Sequence, residues 1–352
     1  MPRGRAMNPA PRSPDRPPYS GRPTPLRPFA AHADWSAAAA KRWIALAVPE
    51  AEGWRLAAPV PVGEVATLLA RLRAAAAGAP VALGVDFPLG LPRAYAARRP
   101  EADFPSFLAA LATRPDFFSV CAELAEVGPE RPFYPARGRR GMTRATHAAA
   151  LGLAGPAELS RACDRATARR PAGAPLFWTL GANQTGKAAI AAWREMLLPA
   201  LAEAAAGGAP APLLWPFAGP FRSLLSPGAV AVAETYPAEA LRQLGLRLAG
   251  SKRRQADRAA LARPLRAAMA TLGAHPAPAL TAAIAGGFGA DAAGEDRFDC
   301  VLGVLAVLAV LAGARPDTAP AAPWIRRWEG WVLGQTDLPA HAWPKPAAPA
   351  AR

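Results

Sequence analysis

Acidic residues recur in this chain where a short apolar run stops or a helix begins. Asp34 lies in the run AAHADWS, and Asp86 follows VALGV and precedes Phe87-Pro88. Glu234 follows AVAVA and precedes Thr235-Tyr236-Pro237, and Asp296 and Asp299 stand three apart in EDRFD. Proline donates no hydrogen bond and restricts the residue before it, so each apolar run ends at its acid. Open α/β folds place their chemistry at the carboxyl ends of buried strands. Residues three apart on a helix share a face, and a helix N-terminus offsets part of the repulsion between two carboxylates there. Each acid also has a structural explanation as strand cap, turn former or helix N-terminal residue. Together they suit a hard cation, because Mg²⁺ takes carboxylate oxygens and keeps waters for a substrate phosphate. Two such ions roughly 4 Å apart activate a water and stabilise the leaving oxygen of a phosphodiester.

The surrounding pattern predicts an α/β fold. Residues 1–28 form a Pro/Arg-rich tail expected to be disordered, with nine prolines in the first thirty residues, and Met7 is an alternative start to Met1. Strands are expected at AAHADWS, at Lys41–Val48 and at Gly53–Val62, followed by a helix within Gly63–Gly78 and the buried strand that ends at Asp86. Residues 93–225 interrupt this pattern as a largely helical segment. The strand before Glu234 comes next, then helices at Ala238–Leu244, about Lys252–Leu272, about Pro278–Ala285 and Asp296–Leu311. The last is apolar or glycine from Cys300 onward, shorter than the about 20 residues that span a bilayer. Trp324, Trp328 and Trp331 read as a flap over the core. Residues 338–352 form a Pro/Ala-rich tail.

Eight motifs in order carry a family resemblance: DWS (34–36), GVDFPLGLP (84–92), RACD (161–164), GANQTGK (181–187), ETYP (234–237), SKRRQADR (251–258), DRFD (296–299) and EGWVLG (329–334). The chain resembles domain-of-unknown-function family 429, described as predicted RNase H-like nucleases, over about residues 30–335. The resemblance implies a ribonuclease H-like, five-stranded mixed sheet with helices on both faces, three antiparallel strands preceding two parallel ones. The segment 93–225 is then a large helical insertion within a domain spanning 29–337. In that fold one acid comes from the first strand, one from the end of the fourth, and one or two from the last helix. Asp34, Asp86 and Asp296/Asp299 match those places, and Glu234 matches the acid after the fifth strand.

Basic clusters supply the expected contacts to substrate. Residues 131–170 hold nine arginines against Glu158 and Asp164, and Arg161, Arg165 and Arg169 recur every four residues, one stripe if that segment is helical. Guanidinium groups hold phosphates bidentately. Lys252 and Arg258 belong to a second cluster, Lys252–Arg266. A solvated helix face is the alternative for both. Gly181, Gly186 and Lys187 match the spacing of a phosphate loop, but Ala188 replaces the hydroxyl residue that would hold Mg²⁺. Instead these glycines are expected to shape a loop that opens the helix Lys187–Ala206, with Asn183, Gln184 or Lys187 facing the cleft.

The net charge of +15 favours a polyanionic partner, although a compositional bias toward Arg, Ala, Pro and Gly also raises it. Three scattered cysteines and four scattered histidines match neither a disulfide framework nor a zinc spacing. A cytoplasmic setting without a membrane partner is expected. The leading expectation is a metal-dependent nuclease with Mg²⁺ or Mn²⁺ on Asp34, Asp86 and Asp299, and with Asp296 and Glu234 as additional ligand or general base. Arg161, Arg165, Lys187, Lys252 and Arg258 are the expected substrate contacts. The alternatives are a catalytically inactive nucleic-acid-binding protein and an ATP-using enzyme of the same fold.

Overall fold

The computed structural model describes residues 27–137, 141–180 and 185–339. The tails before residue 27 and after 339, and the GANQ part of the glycine loop with Asn183 and Gln184, lie outside the described residues. The protein is α/β, with a mixed sheet of eight strands. Five were expected, and three of the eight are two or three residues long.

Strands β1 (Phe29–Asp34), β2 (Trp43–Glu50) and β3 (Gly53–Leu56) form an antiparallel meander, and β4 (Val60–Pro61) pairs with β2. Pro59 and Pro61 remove two ladder donors, so the run expected over Gly53–Val62 splits into β3 and this short piece. Helix α1 (Leu68–Ala76) buries Leu68, Leu69, Leu72 and Ala76, one helical face. It leads to β5 (Val81–Val85), which pairs parallel with β1.

The next stretch contains α2 (Arg93–Ala96), α3 (Phe104–Ala110), α4 (Arg144–Ala150), α5 (Thr185–Ala192) and α6 (Leu198–Ala205). A π turn at Trp193–Leu197 joins α5 and α6 into one continuous helix, close to the Lys187–Ala206 expected, whereas α2, α3 and α4 are short because each is bounded by its own cap or proline. Asp103 accepts from the Ser106 N–H at 2.8 Å to start α3, and Thr143 and Thr146 cap α4 reciprocally. The stretch expected to be only a helical segment also supplies an edge strand, β6 (Leu213–Leu214). Strand β7 (Val230–Glu234) lies between β6 and β5, parallel to both.

Helices α7 (Pro237–Gln243), α8 (Gln255–Ala259) and α9 (Ala262–Thr271) follow. The single helix expected over Lys252–Leu272 is broken, because Pro264 cannot donate to Ala260 and its ring crowds that carbonyl. Strand β8 (Ala274–Pro276) adds to β3, and α10 (Pro278–Ala285) leads to α11 (Gly294–Leu311).

The strand order is β6-β7-β5-β1-β2-β3-β8. One face packs against α1 to α5, and the other against α7, α9, α10 and α11. Phe29, Ala31, Ala33, Val81, Leu83, Val85, Val230 and Val232 point to the first face, and Ala30, Ala82, Ala231 and Ala233 to the second, the strict alternation of a strand. Trp328 is buried on the first face and Trp331 on the second. No helix among the described residues is long and apolar enough to cross a membrane.

Candidate carboxylate site

The parallel strands β1, β5 and β7 end together, with Ala33, Val85 and Glu234 in one register row. The next row is Asp34, Asp86 and Thr235. Because successive side chains alternate, this one-residue offset decides which acids can meet. Asp34 and Asp86 face α11, whereas Glu234 faces the opposite side of the sheet.

Helix α11 crosses β1 and β5 so that Asp299, Gly303 and Val307, each one turn apart, lie along the sheet. A Cβ on Gly303 would lie 2.2 Å from Cγ of His32, and a Cβ on Gly84 would lie 2.7 Å from Val307. These two glycines let the helix approach the sheet closely enough to hold Asp299 over the strand ends. His32 fills the space behind Asp34, fully buried, with neither ring nitrogen partnered among the described residues.

The three carboxyls behave as one electrostatic unit. Burial, then the Asp86 and Asp299 charges, holds Asp34 well above the ordinary carboxylate range. Asp86 is pushed up to about 7, chiefly by burial; its hydrogen bond with Asp34 and the Trp35 N–H, at 2.6 Å, pull the other way. Burial pushes Asp299 up to about 6 against the pull of Lys252. The Lys252 ammonium donates to Asp299 Oδ2 and lies 3.8 Å from Glu295 Oε1. Burial works against its charge, but Asp299 and Glu295 outweigh burial and raise its pKa, so it stays cationic. Asp296 is half-buried beside them and raised by burial, with Lys41 opposing.

Asp299 Oδ1 is buried without a hydrogen-bond partner among the described residues. A buried carboxylate oxygen left unpaired is costly, and a cation in the cleft would satisfy it. Oxygen donors from three separate elements are of the type a hard divalent ion takes, although the ligand atoms of Asp34, Asp86 and Asp299 do not all lie within 4.8 Å of one another. The other acidic group, Cys163, Asp164 and Glu234, has ligand atoms within 4.8 Å of one another but fits poorly. Arg161 already fills it: its guanidinium donates to both Glu234 oxygens at 2.6 Å and to Asp164 at 2.9 and 3.0 Å. Burial also holds the Cys163 thiol well above its ordinary range, whereas a metal ligand must be the thiolate.

Several expected site residues therefore belong elsewhere. Glu234 is not a member of the carboxylate cleft; it also accepts the Leu89 N–H at 2.8 Å, tying the loop after β5 to β7. Arg161 is fully buried and has no face toward a substrate. The expected arginine stripe is absent, because Ala162–Asp164 makes only a single 3-10 turn and Arg165 is extended. Asp164 closes that turn by accepting from both the backbone N–H and the guanidinium of Arg161. Arg165 is half-buried near Glu329, and Arg169 is exposed. Arg258 is buried and donates to the carbonyls of Gly287, Gly289 and Lys252, so it positions the Lys252 backbone rather than meeting a ligand. Lys187 is half-buried in α5, whose buried residues pack on the face away from α11.

Lys252 is the expected cation that does reach the cluster. Sequence reasoning missed its companion Glu295, immediately before Asp296, and missed Thr235, the residue in register with Asp34 and Asp86. It also missed Glu329, whose carboxylate accepts the Arg93 and Ala162 N–H groups at 3.0 and 3.3 Å and so fastens the distant stretch to the strand ends. No protein-family model, curated protein or solved structure matches this chain.

Proposed function

We propose that this protein is a metal-dependent phosphodiesterase acting on nucleic acid, with Asp34, Asp86 and Asp299 as the ligands of Mg²⁺ or Mn²⁺. The observation that carries this reading is the grouping of buried Asp34 and half-buried Asp86, at two neighbouring strand ends, with buried Asp299 of α11, near enough for their charges to interact, and one Asp299 oxygen buried and unpaired among the described residues. Support for a ribonuclease H-like arrangement comes from the central strand order β3-β2-β1-β5-β7, antiparallel among the first three and parallel thereafter. On this reading β4, β6 and β8 are additions, and the stretch after β5 is an insertion fastened by Arg161 and Glu329.

When bound, the divalent ion would lower the pKa of an attacking water and stabilise charge on the leaving oxygen. The protein's own residues do the rest. Asp34 and Asp86 hold a shared proton until a cation displaces it, and the Trp35 N–H keeps Asp86 oriented. Lys252, which pairs with Asp299 here, would be free to hold a phosphate oxygen if that carboxylate held the ion. Lys41, Arg253, Arg263 and Arg266 are exposed and offer sequence-independent attraction to a backbone.

A purely binding role is favoured by one observation, that Lys252 already supplies Asp299 with a cation. Hydrolysis of end-labelled single- and double-stranded oligonucleotides, with Mn²⁺ or with a chelator, separates the two. The phosphodiesterase reading expects cleavage that needs the ion and is lost in Asp34→Asn and Asp299→Asn while oligonucleotide binding persists. Binding without ion-dependent cleavage of either substrate would leave the protein as a binder.

A further inference from the structure

Arg169, the outermost residue of the arginine series that does not form a stripe, lies at a second cleft. The cleft has a volume of about 350 Å³ and is lined by Arg169, Arg242, Arg247 and Arg315, with only Glu239 and Asp337 as acids. The four cations come from separate parts of the chain: the loop after residue 165, the end of α7, the turn beyond it, and the segment that follows α11.

Their existing partners leave the cleft positive. Arg315 is fixed by donating from Nε and Nη2 to the Gly334 carbonyl at 3.0 and 2.8 Å. Arg242 pairs with Glu239 at 3.0 Å. Arg169 is 3.8 Å from Asp337, beyond hydrogen-bond distance, and its side chain is 81% exposed. Arg247 is exposed and makes no ion pair among the described residues. Four guanidinium groups facing two carboxylates repel one another, and an anion between them relieves that repulsion. Planar forks of this kind match phosphate oxygens two at a time. A volume of this size lies at the small end of ligand pockets, enough for a nucleotide-sized molecule.

We propose that this arginine cleft binds a phosphate-bearing ligand, distinct from whatever occupies the carboxylate site. The inference stands without the phosphodiesterase reading. Two sources share the required chemistry, a free phosphorylated small molecule and the phosphate backbone of a nucleic acid. The second is within reach because Arg247 and Lys252 are five residues apart, at most about 18 Å of extended chain.

Isothermal titration of the full chain with pyrophosphate, a nucleoside diphosphate and a short single-stranded oligonucleotide tests the proposal. At least one probe should bind. Arg169→Gln with Arg247→Gln should weaken that binding by about tenfold or more, the loss of two charge-assisted contacts. Both side chains are exposed, so the variant should melt like the parent. Arg55→Gln with Arg194→Gln, an equal loss of charge at exposed sites elsewhere, should weaken binding much less, and Asp34→Asn should leave it unchanged. Binding of the small probes would identify a nucleotide-like ligand, and binding of the oligonucleotide alone would identify a backbone contact; both sustain the phosphate site. Failure of all three probes to bind at millimolar concentration would overturn it, as would equal losses in the two double variants.

Discussion

Two carboxyl groups form a hydrogen bond only while one of them keeps a proton, so the Asp34–Asp86 contact describes a protonated pair. The folded protein holds that proton more tightly than the unfolded chain, whose aspartates titrate near 3.8. The stability this provides is complete below the unfolded value and is lost as pH rises through the folded value of about 7 for Asp86. His32 and His147 act oppositely: burial lowers them from 6.5 to about 3 and about 4, so they remove stability as pH falls below their unfolded value. The carboxyl effect is therefore clearest near neutrality. In chelator, the parent should lose about 1–3 kcal/mol relative to Asp86→Asn between about pH 6 and about pH 8. Urea melts across that interval measure it, and a flat difference would mean that the pair shares no proton. The sequence displayed these acids, since each ends an apolar run or opens a helix. It did not display Lys252 as their partner, because its position depends on Arg258 reaching back to the Lys252 carbonyl.

Among the elements, the alternation of strand side chains separates acids that look equivalent along the chain. Asp86 follows five buried residues and Glu234 is itself the fifth residue of its strand, so the two face opposite sides. That difference was legible in VALGVD against VAVAE once the strands are aligned, but the alignment is a property of the sheet. Short strands such as β6 and β8 leave no periodicity to read, and the fourfold spacing of arginines implied a helix that Asp164 closes after one turn. By contrast, α10 keeps its expected limits because Pro278 opens it and Gly286 follows it. Two consequences are measurable. Arg161→Met should cost about 3–5 kcal/mol, because Glu234 and Asp164 are left buried and unpaired, and adding Glu234→Gln and Asp164→Asn should recover a substantial part. Additive losses in that cycle would show that the network holds nothing together. Gly303→Ala should cost about 1–3 kcal/mol by driving a methyl into His32, and His32→Ala should relieve it. Equal melting of Gly303→Ala and parent would show that the helix is free to shift away.

For the molecule as a whole, the sheet, α11 and the segment before α8 meet at one carboxylate, Asp299, which faces both the acid pair and Lys252. A divalent ion bound there must compete with the ammonium for the same charge. This competition gives opposite signs to two substitutions. Lys252→Met removes the resident cation, leaving Asp299 buried without compensation, so the chelator-treated protein should melt below the parent. Added Mg²⁺ or Mn²⁺ should then raise the melting temperature of Lys252→Met more than that of the parent, because the ion no longer displaces a bound charge. Asp299→Asn should do the reverse: it lessens repulsion in chelator, leaving the protein as stable or more stable by about 0.5–2 kcal/mol, and it weakens the response to the ion. A ligand of the folded state stabilises in proportion to the logarithm of its concentration over Kd, so the responses should diverge as the ion is titrated. Thermal melts of the three proteins across one Mn²⁺ series read this directly. Parallel curves would place the ion away from Asp299, and flat curves would remove the metal from the site, leaving Lys252 as its permanent cation.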